Sequence, residues 1–146
     1  MKIIFGLCGL AVVGGIIHHL FGGFRPFVHP VAALLVVGST ILLSLAHYSP
    51  GAVVNALKNA LGQGPIAHGD AAKHAAVLSS ARTFAIATGA AGFVLGIIHL
   101  MGNLRDASRL GPGVAFTLMA TLYALILSEF FLAPLINRLG ARTEVP

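Results

Sequence analysis

Few residues in this chain could perform chemistry, and those that could lie in unusual surroundings. Glu129 is the one acidic residue inside a long apolar stretch, with uncharged sequence from 110 to 128 before it and Phe130 to Ile136 after it. An ionisable group there is costly in lipid and is a functional candidate by default, on a proton path or as half of an ion pair. Thr117, Thr121 and Ser128 precede it at spacings of four and seven, one polar stripe on an apolar helix. Hydroxyls in that setting either face a polar path or bond their own helix carbonyls. Seven histidines raise a haem or metal possibility, because His18, His19, His29 and His99 fall near one membrane face. Imidazoles at matching depth on different helices are what bis-His haem ligation requires. There is no CxxCH, no neighbouring carboxylate and no i, i+4 pair among them, so interfacial or capping roles are the plainer reading and no cofactor is expected. Cys8 is the one cysteine, which excludes a disulfide framework or a cysteine metal site within one chain. None of this forms a catalytic constellation, and the chain does not read as an enzyme.

The elements that hold these residues follow from hydropathy and charge. Of 146 residues, 57% are hydrophobic and only 9% charged, with a mean hydropathy of +0.92. That is too little polar surface for a soluble domain, and the composition is that of a membrane protein. The net charge of +5 comes from basic residues spread along the chain; they form no nucleic-acid patch and read as topology signals. An apolar helix needs about 18 or more uncharged residues to cross the bilayer core. Four intervals qualify, 3–24, 26–57, 83–104 and 110–128. The expected fold is therefore all-α, a single transmembrane domain over 1–146 with four spans near 3–21, 28–47, 82–101 and 111–136. Lys2 precedes the first apolar run, but no A-x-A-like site follows it, so that run is read as a retained span and not a signal peptide. Lys2, Lys58, Lys73, Arg82, Arg138 and Arg142 lie on one side against Arg25, Arg105 and Arg109 on the other, six against three. This places both termini in the cytoplasm.

The connections differ in length. The outer turns GGFRPF and GNLRDASRLGPG are short, and Pro112 suits the first turn of a helix. Between spans two and three, residues of about 50–80 form a cytoplasmic helical hairpin. Its first arm, from Pro50, is expected to continue from span two, with Val53, Val54, Leu57 and Leu61 at helical spacing. Asp70 is expected to cap a second arm that runs through Lys73 and His74 into span three. Span three carries Ala81, Ala85, Gly89, Gly92 and Gly96 along one face. Small residues let backbones approach in lipid, so this face predicts tight packing within or between subunits. Arg82, at the start of span three, is placed to pair with Glu129 near the cytoplasmic end of span four.

Three stretches carry a family resemblance. FVHPVAALLVVGST (27–40), GAAGFVLGIIHLMGNL (89–104) and LGPGVAFTLMATLYALILSEFFLAPLINRL (110–139) resemble the second, third and fourth helices of MotA-like subunits in the MotA/TolQ/ExbB proton-channel family. The resemblance implies a homopentameric ring in the bacterial inner membrane. That ring would enclose two copies of a single-span partner of the MotB/ExbD kind, whose transmembrane aspartate carries a proton or sodium ion. In that picture Thr121 matches the threonine facing the ion path and Pro134 the proline that ends the last span; Thr117 shares the Thr121 stripe. Ile86 stands where the family has a proline and Phe93 where it has a small residue, changes that dry or narrow the path. The segment between spans two and three is too short for the charged cytoplasmic domain through which MotA engages the rotor, so direct torque on a flagellar rotor is not expected. The first reading is a ring-forming subunit of an ion-driven complex. The alternatives are a non-conducting pentameric scaffold and a bis-His electron-transfer subunit.

Overall fold

The computed structural model describes residues 12, 14, 15, 19, 28–62 and 68–141. The expected first span over 3–21 therefore lies outside the described residues, save for four of its positions. Every described element is helical. Three helices are long and apolar enough to cross a membrane: α1 (Pro30–His47), α3 (the Gly69–Gly102 part of His68–Gly102) and α4 (Ala107–Ala141). A shorter helix, α2 (Pro50–Leu61), connects the first two.

Local sequence explains where these helices begin and end. His29 is extended (φ −115°) and its Nδ1 accepts from the Ala32 N–H at 3.3 Å, while Pro30 fills the first helical position, where its missing N–H costs nothing. α1 stops at His47 because Ser49 precedes a proline and is pushed to extended backbone (ψ 147°). Ser49 Oγ then accepts from the Ala52 N–H at 3.3 Å and starts α2. The expected continuation of the first hairpin arm from span two is thus corrected to a break at Tyr48 and Ser49. α3 is one helix of 35 residues, roughly 50 Å long at 1.5 Å per residue. The hydrocarbon core is only about 30 Å thick, so α3 projects well beyond it. Asp70 sits within its first turn and not ahead of it, with Lys73 Nζ 3.5 Å away.

α4 starts earlier than the expected 111. Asp106 Oδ1 accepts from the Ser108 N–H at 3.1 Å and from Ser108 Oγ at 2.6 Å, and Asp106 Oδ2 meets Arg109 Nε at 3.0 Å. This side-chain cap sets the start at Ala107, which moves Pro112 out of the first turn into the helix. The other end runs past the expected 136 to Ala141. Pro134 cannot donate to a carbonyl one turn back, and the wide π-helical turns Ile126–Leu132 stand immediately before it, so the helix absorbs the proline instead of ending there. A second π-helical stretch, Leu34–Gly38, lies in α1.

The packing depends on small side chains. Ala32, Val36, Ala120 and Ala124 join α1 to α4, and Ala56, Ala60, Ala81 and Ala85 with Val77, Leu78, Leu132 and Leu139 join α2, α3 and the end of α4. In lipid the contact is van der Waals packing between closely approaching backbones, and alanine permits that approach. Large apolar residues such as Leu34, Leu42, Ile98 and Leu118 point outward instead, the inverse of a soluble monomer.

Candidate functional site

α3 and α4 run antiparallel and meet through the glycine face of α3. A Cβ built on Gly92 would lie 2.7 Å from Ala120 Cβ and 2.9 Å from Leu35 Cδ2. One built on Gly89 would collide with Ala124 Cβ, and one on Gly96 with the Thr117 side chain. Only glycine allows this approach, and Ala85 continues the same buried face toward α2.

Beside this seam the two helices diverge and leave a groove of about 350 Å³, open on one side. Ile86, Ala90, Phe93 and Val94 line it from α3, Thr121, Ala124 and Leu125 from α4, with Gly89 at the seam. Ile86 is 47% and Phe93 43% exposed, so their side chains stand on the open side. Thr121 supplies the one hydroxyl among the lining residues. Its Oγ1 donates to the Thr117 carbonyl at 3.2 Å, which leaves its lone pairs free of that bond.

The residues singled out in the sequence separate into three places. Thr121, Ile86 and Phe93 line the groove. Thr117 is 4% exposed and lies in the seam, its Oγ1 donating to the Gly113 carbonyl at 2.9 Å. Pro134 is exposed on the far part of α4, away from the groove lining. Arg82 and Glu129 come together across the α3–α4 seam, Arg82 Nη2 donating to Glu129 Oε1 at 2.7 Å and Arg82 Nε to the same oxygen at 3.2 Å. The span hydroxyls bond their own helices, as Thr40 Oγ1 to the Val36 carbonyl at 2.6 Å and Ser44 Oγ to the Thr40 carbonyl at 2.7 Å also show.

The histidines serve separate local roles. His29 caps α1, donates its backbone N–H to Tyr123 Oη at 2.9 Å and meets the Phe116 ring edge-on at 5.7 Å. His47 packs on Phe84 at 4.9 Å, and His74 Nε2 lies 2.8 Å from Asn59 Nδ2. Among the described residues, no three of His, Cys, Asp or Glu converge as metal ligands do. Sequence reasoning missed the Tyr123 contact with His29 and the two π-helical stretches, since none of them has a local sequence signature. It also missed the pairing of Tyr48 Oη with Ser80 Oγ at 2.8 Å.

Three apolar helices of membrane length, joined through glycine and alanine and bearing a charged pair across one seam, define a multi-pass, all-helical membrane protein. The sequence profile of the MotA/TolQ/ExbB proton channel family matches residues 36–145, and the chain belongs to that family. It is 45% identical over 53 residues to Motility protein A of Aquifex aeolicus (strain VF5), covering 36% of this chain and 21% of that protein. It is 33% identical over 58 residues to Chemotaxis protein PomA of Vibrio alginolyticus, covering 40% of this chain and 23% of that one. The match thus spans about a fifth to a quarter of these curated relatives.

Proposed function

We propose that the chain is the ring-forming subunit of a stator-type, ion-driven complex of the bacterial inner membrane, carrying protons or sodium ions past the α3–α4 groove. In this reading it has four spans with both termini in the cytoplasm, a helical hairpin between spans two and three, and five copies around two copies of a single-span partner of the MotB/ExbD kind. That partner brings a membrane aspartate to the groove. The observation that carries the reading is the groove itself, open and apolar, with Thr121 as the one hydroxyl-bearing residue in its lining. A carboxylate is tolerated at that depth only when neutral or solvated by polar groups, and a threonine facing it offers that solvation. Family membership supports the ion-channel class.

The test begins with the complex extracted from its native membrane. Native mass spectrometry should weigh five copies together with two retained single-span proteins, and a number of copies of this chain other than five refutes the ring. Thr121→Ala should then reduce ion flux in vesicles by about tenfold or more, a barrier change of roughly 1.4 kcal/mol. Among the described residues the hydroxyl bonds only within its own helix, so its removal costs little stability and lost flux reports on the path. Unchanged flux refutes the role of Thr121.

A further inference from the structure

Ile86 on α3 and Leu125 on α4 line the groove, and four residues further along each helix stand Arg82 and Glu129, which pair with one another. The register is regular: Gly96 meets Thr117, Gly92 meets Ala120, Gly89 meets Ala124, and Arg82 meets Glu129. Thr121, Leu125 and Glu129 follow at four-residue steps on α4, so the hydroxyl of the groove and the carboxylate beyond it share one stripe.

The pair has an unusual form. Arg82 Nη2 and Nε both donate to Oε1, and Ser128 Oγ lies 3.3 Å from the same oxygen and equally from the Leu125 carbonyl, to one of which its single proton is donated. Among the described residues, nothing in the protein engages Oε2. A tie that serves only to hold two helices is best made as a two-oxygen fork; this one is made end-on and keeps an acceptor in reserve. The two side chains are 41% and 45% exposed, so the pair is not sealed inside the protein. Glu129 also stands in the π-helical stretch Ile126–Leu132, a form of helix that recurs at functional sites.

We propose that Glu129 is a cation-accepting site at the end of the groove and that Arg82 is its built-in counter-ion. The inference rests on the ion-path reading of the groove. With no cation present the pair is closed. A proton or sodium ion arriving at Oε2 shares the carboxylate, weakens its hold on the guanidinium and opens the end of the groove. When the proton or ion leaves to water, the guanidinium closes on the carboxylate again. A lone carboxylate would hold a cation too firmly to pass it on, and a lone guanidinium would repel it. The pair makes binding competitive, which keeps it weak enough for release, and the always-charged Arg82 disfavours a second cation.

The test uses the complex purified from its native membrane, reconstituted in vesicles that report proton and sodium entry with two dyes. Glu129→Gln should lower flux by about tenfold or more, and Arg82→Gln, which leaves a lone carboxylate, should lower it as well by slowing release. The exchange variant Arg82→Glu with Glu129→Arg should restore assembly, read by native mass, without restoring flux. Recovery of both assembly and flux in the exchange variant would make the pair a structural tie and overturn the proposal. Wild-type flux with an unchanged Glu129→Gln variant refutes this inference alone, whereas absence of wild-type flux refutes the ion-path reading beneath it. Carbodiimide labelling of Glu129, read by peptide mass, decides independently of conduction. Arg82→Gln should speed it about tenfold, because the guanidinium no longer competes with the proton that the reaction needs. Equal labelling rates overturn the proposal.

Discussion

Gly96→Ala is the sharpest perturbation of this architecture. The added Cβ would sit 2.8 Å from Thr117 Cβ and 3.0 Å from Thr117 Cα. Carbon atoms pack at about 3.5–4.0 Å, so each contact is short by roughly 1 Å. Thr117 Cα is backbone and cannot rotate away, so relief requires α3 and α4 to separate and loosens the contacts at Gly92 and Gly89 as well. Overpacking of this kind costs about 1–3 kcal/mol, while alanine returns up to about 1 kcal/mol in helix propensity. The net is a loss of about 1–2 kcal/mol, or roughly 2–8 °C in Tm for a chain of this size. Thermal unfolding in detergent, followed by far-ultraviolet circular dichroism, measures it against Gly51→Ala. At Gly51 in α2 an added Cβ meets nothing within 4 Å among the described residues, so no clash arises and Tm should not fall. Combining Gly96→Ala with Thr117→Gly should show favourable coupling of about 0.5–3 kcal/mol. A Gly96→Ala variant as stable as Gly51→Ala, or an absence of coupling, would refute the close seam.

Two further outcomes follow from the same geometry. His29→Ala removes the side-chain cap of α1 and should cost about 0.5–2 kcal/mol by the same unfolding assay, with His29→Asn restoring most of it; an Ala variant equal to wild type refutes the cap. Phe93→Ala takes a large, 43% exposed ring from the groove wall and should raise vesicle flux severalfold by relieving a hydrophobic constriction. Unchanged flux there would mean that Phe93 does not narrow the path.

The membership of the chain in a proton channel family gives the groove a context, and its departures from the expected layout are concentrated in α4. The sequence suggested a span over 111–136 that begins with Pro112 near its first turn and closes near Pro134. In the structure Asp106 captures the Ser108 N–H and starts the helix before Pro112, while π-helical turns carry the chain past Pro134. Both differences come from groups that compete with the simple rule that proline marks a boundary. A cap six residues ahead of Pro112 outweighs a proline's preference for the first turn, and a wide turn accommodates the missing N–H that would otherwise end a helix.

Much of the fold was legible because lipid imposes a one-dimensional rule. Uncharged intervals long enough to cross the bilayer mark α1, α3 and α4, and each needs only the residues within it. The single intramembrane carboxylate, the arginine at matching depth and the run of small residues on α3 were likewise visible as residue types at fixed spacings. The candidate site was legible only in part. Thr117 and Thr121 are four residues apart on the same stripe, and nothing local distinguishes them. Yet one is sealed against Gly96 and the other opens on the groove. That difference is decided by the rotation of α4 about its axis, which is set by where Gly89, Gly92 and Gly96 admit Ala124, Ala120 and Thr117. By itself the sequence determined that this is a multi-pass helical membrane protein and which helix faces are small, apolar or charged, because transfer into lipid is a property of each segment alone. The tertiary structure alone decided which of those faces meet, that Arg82 binds a single oxygen of Glu129, and that a groove remains beside the seam, because contact distance and helix rotation are fixed by both partners at once.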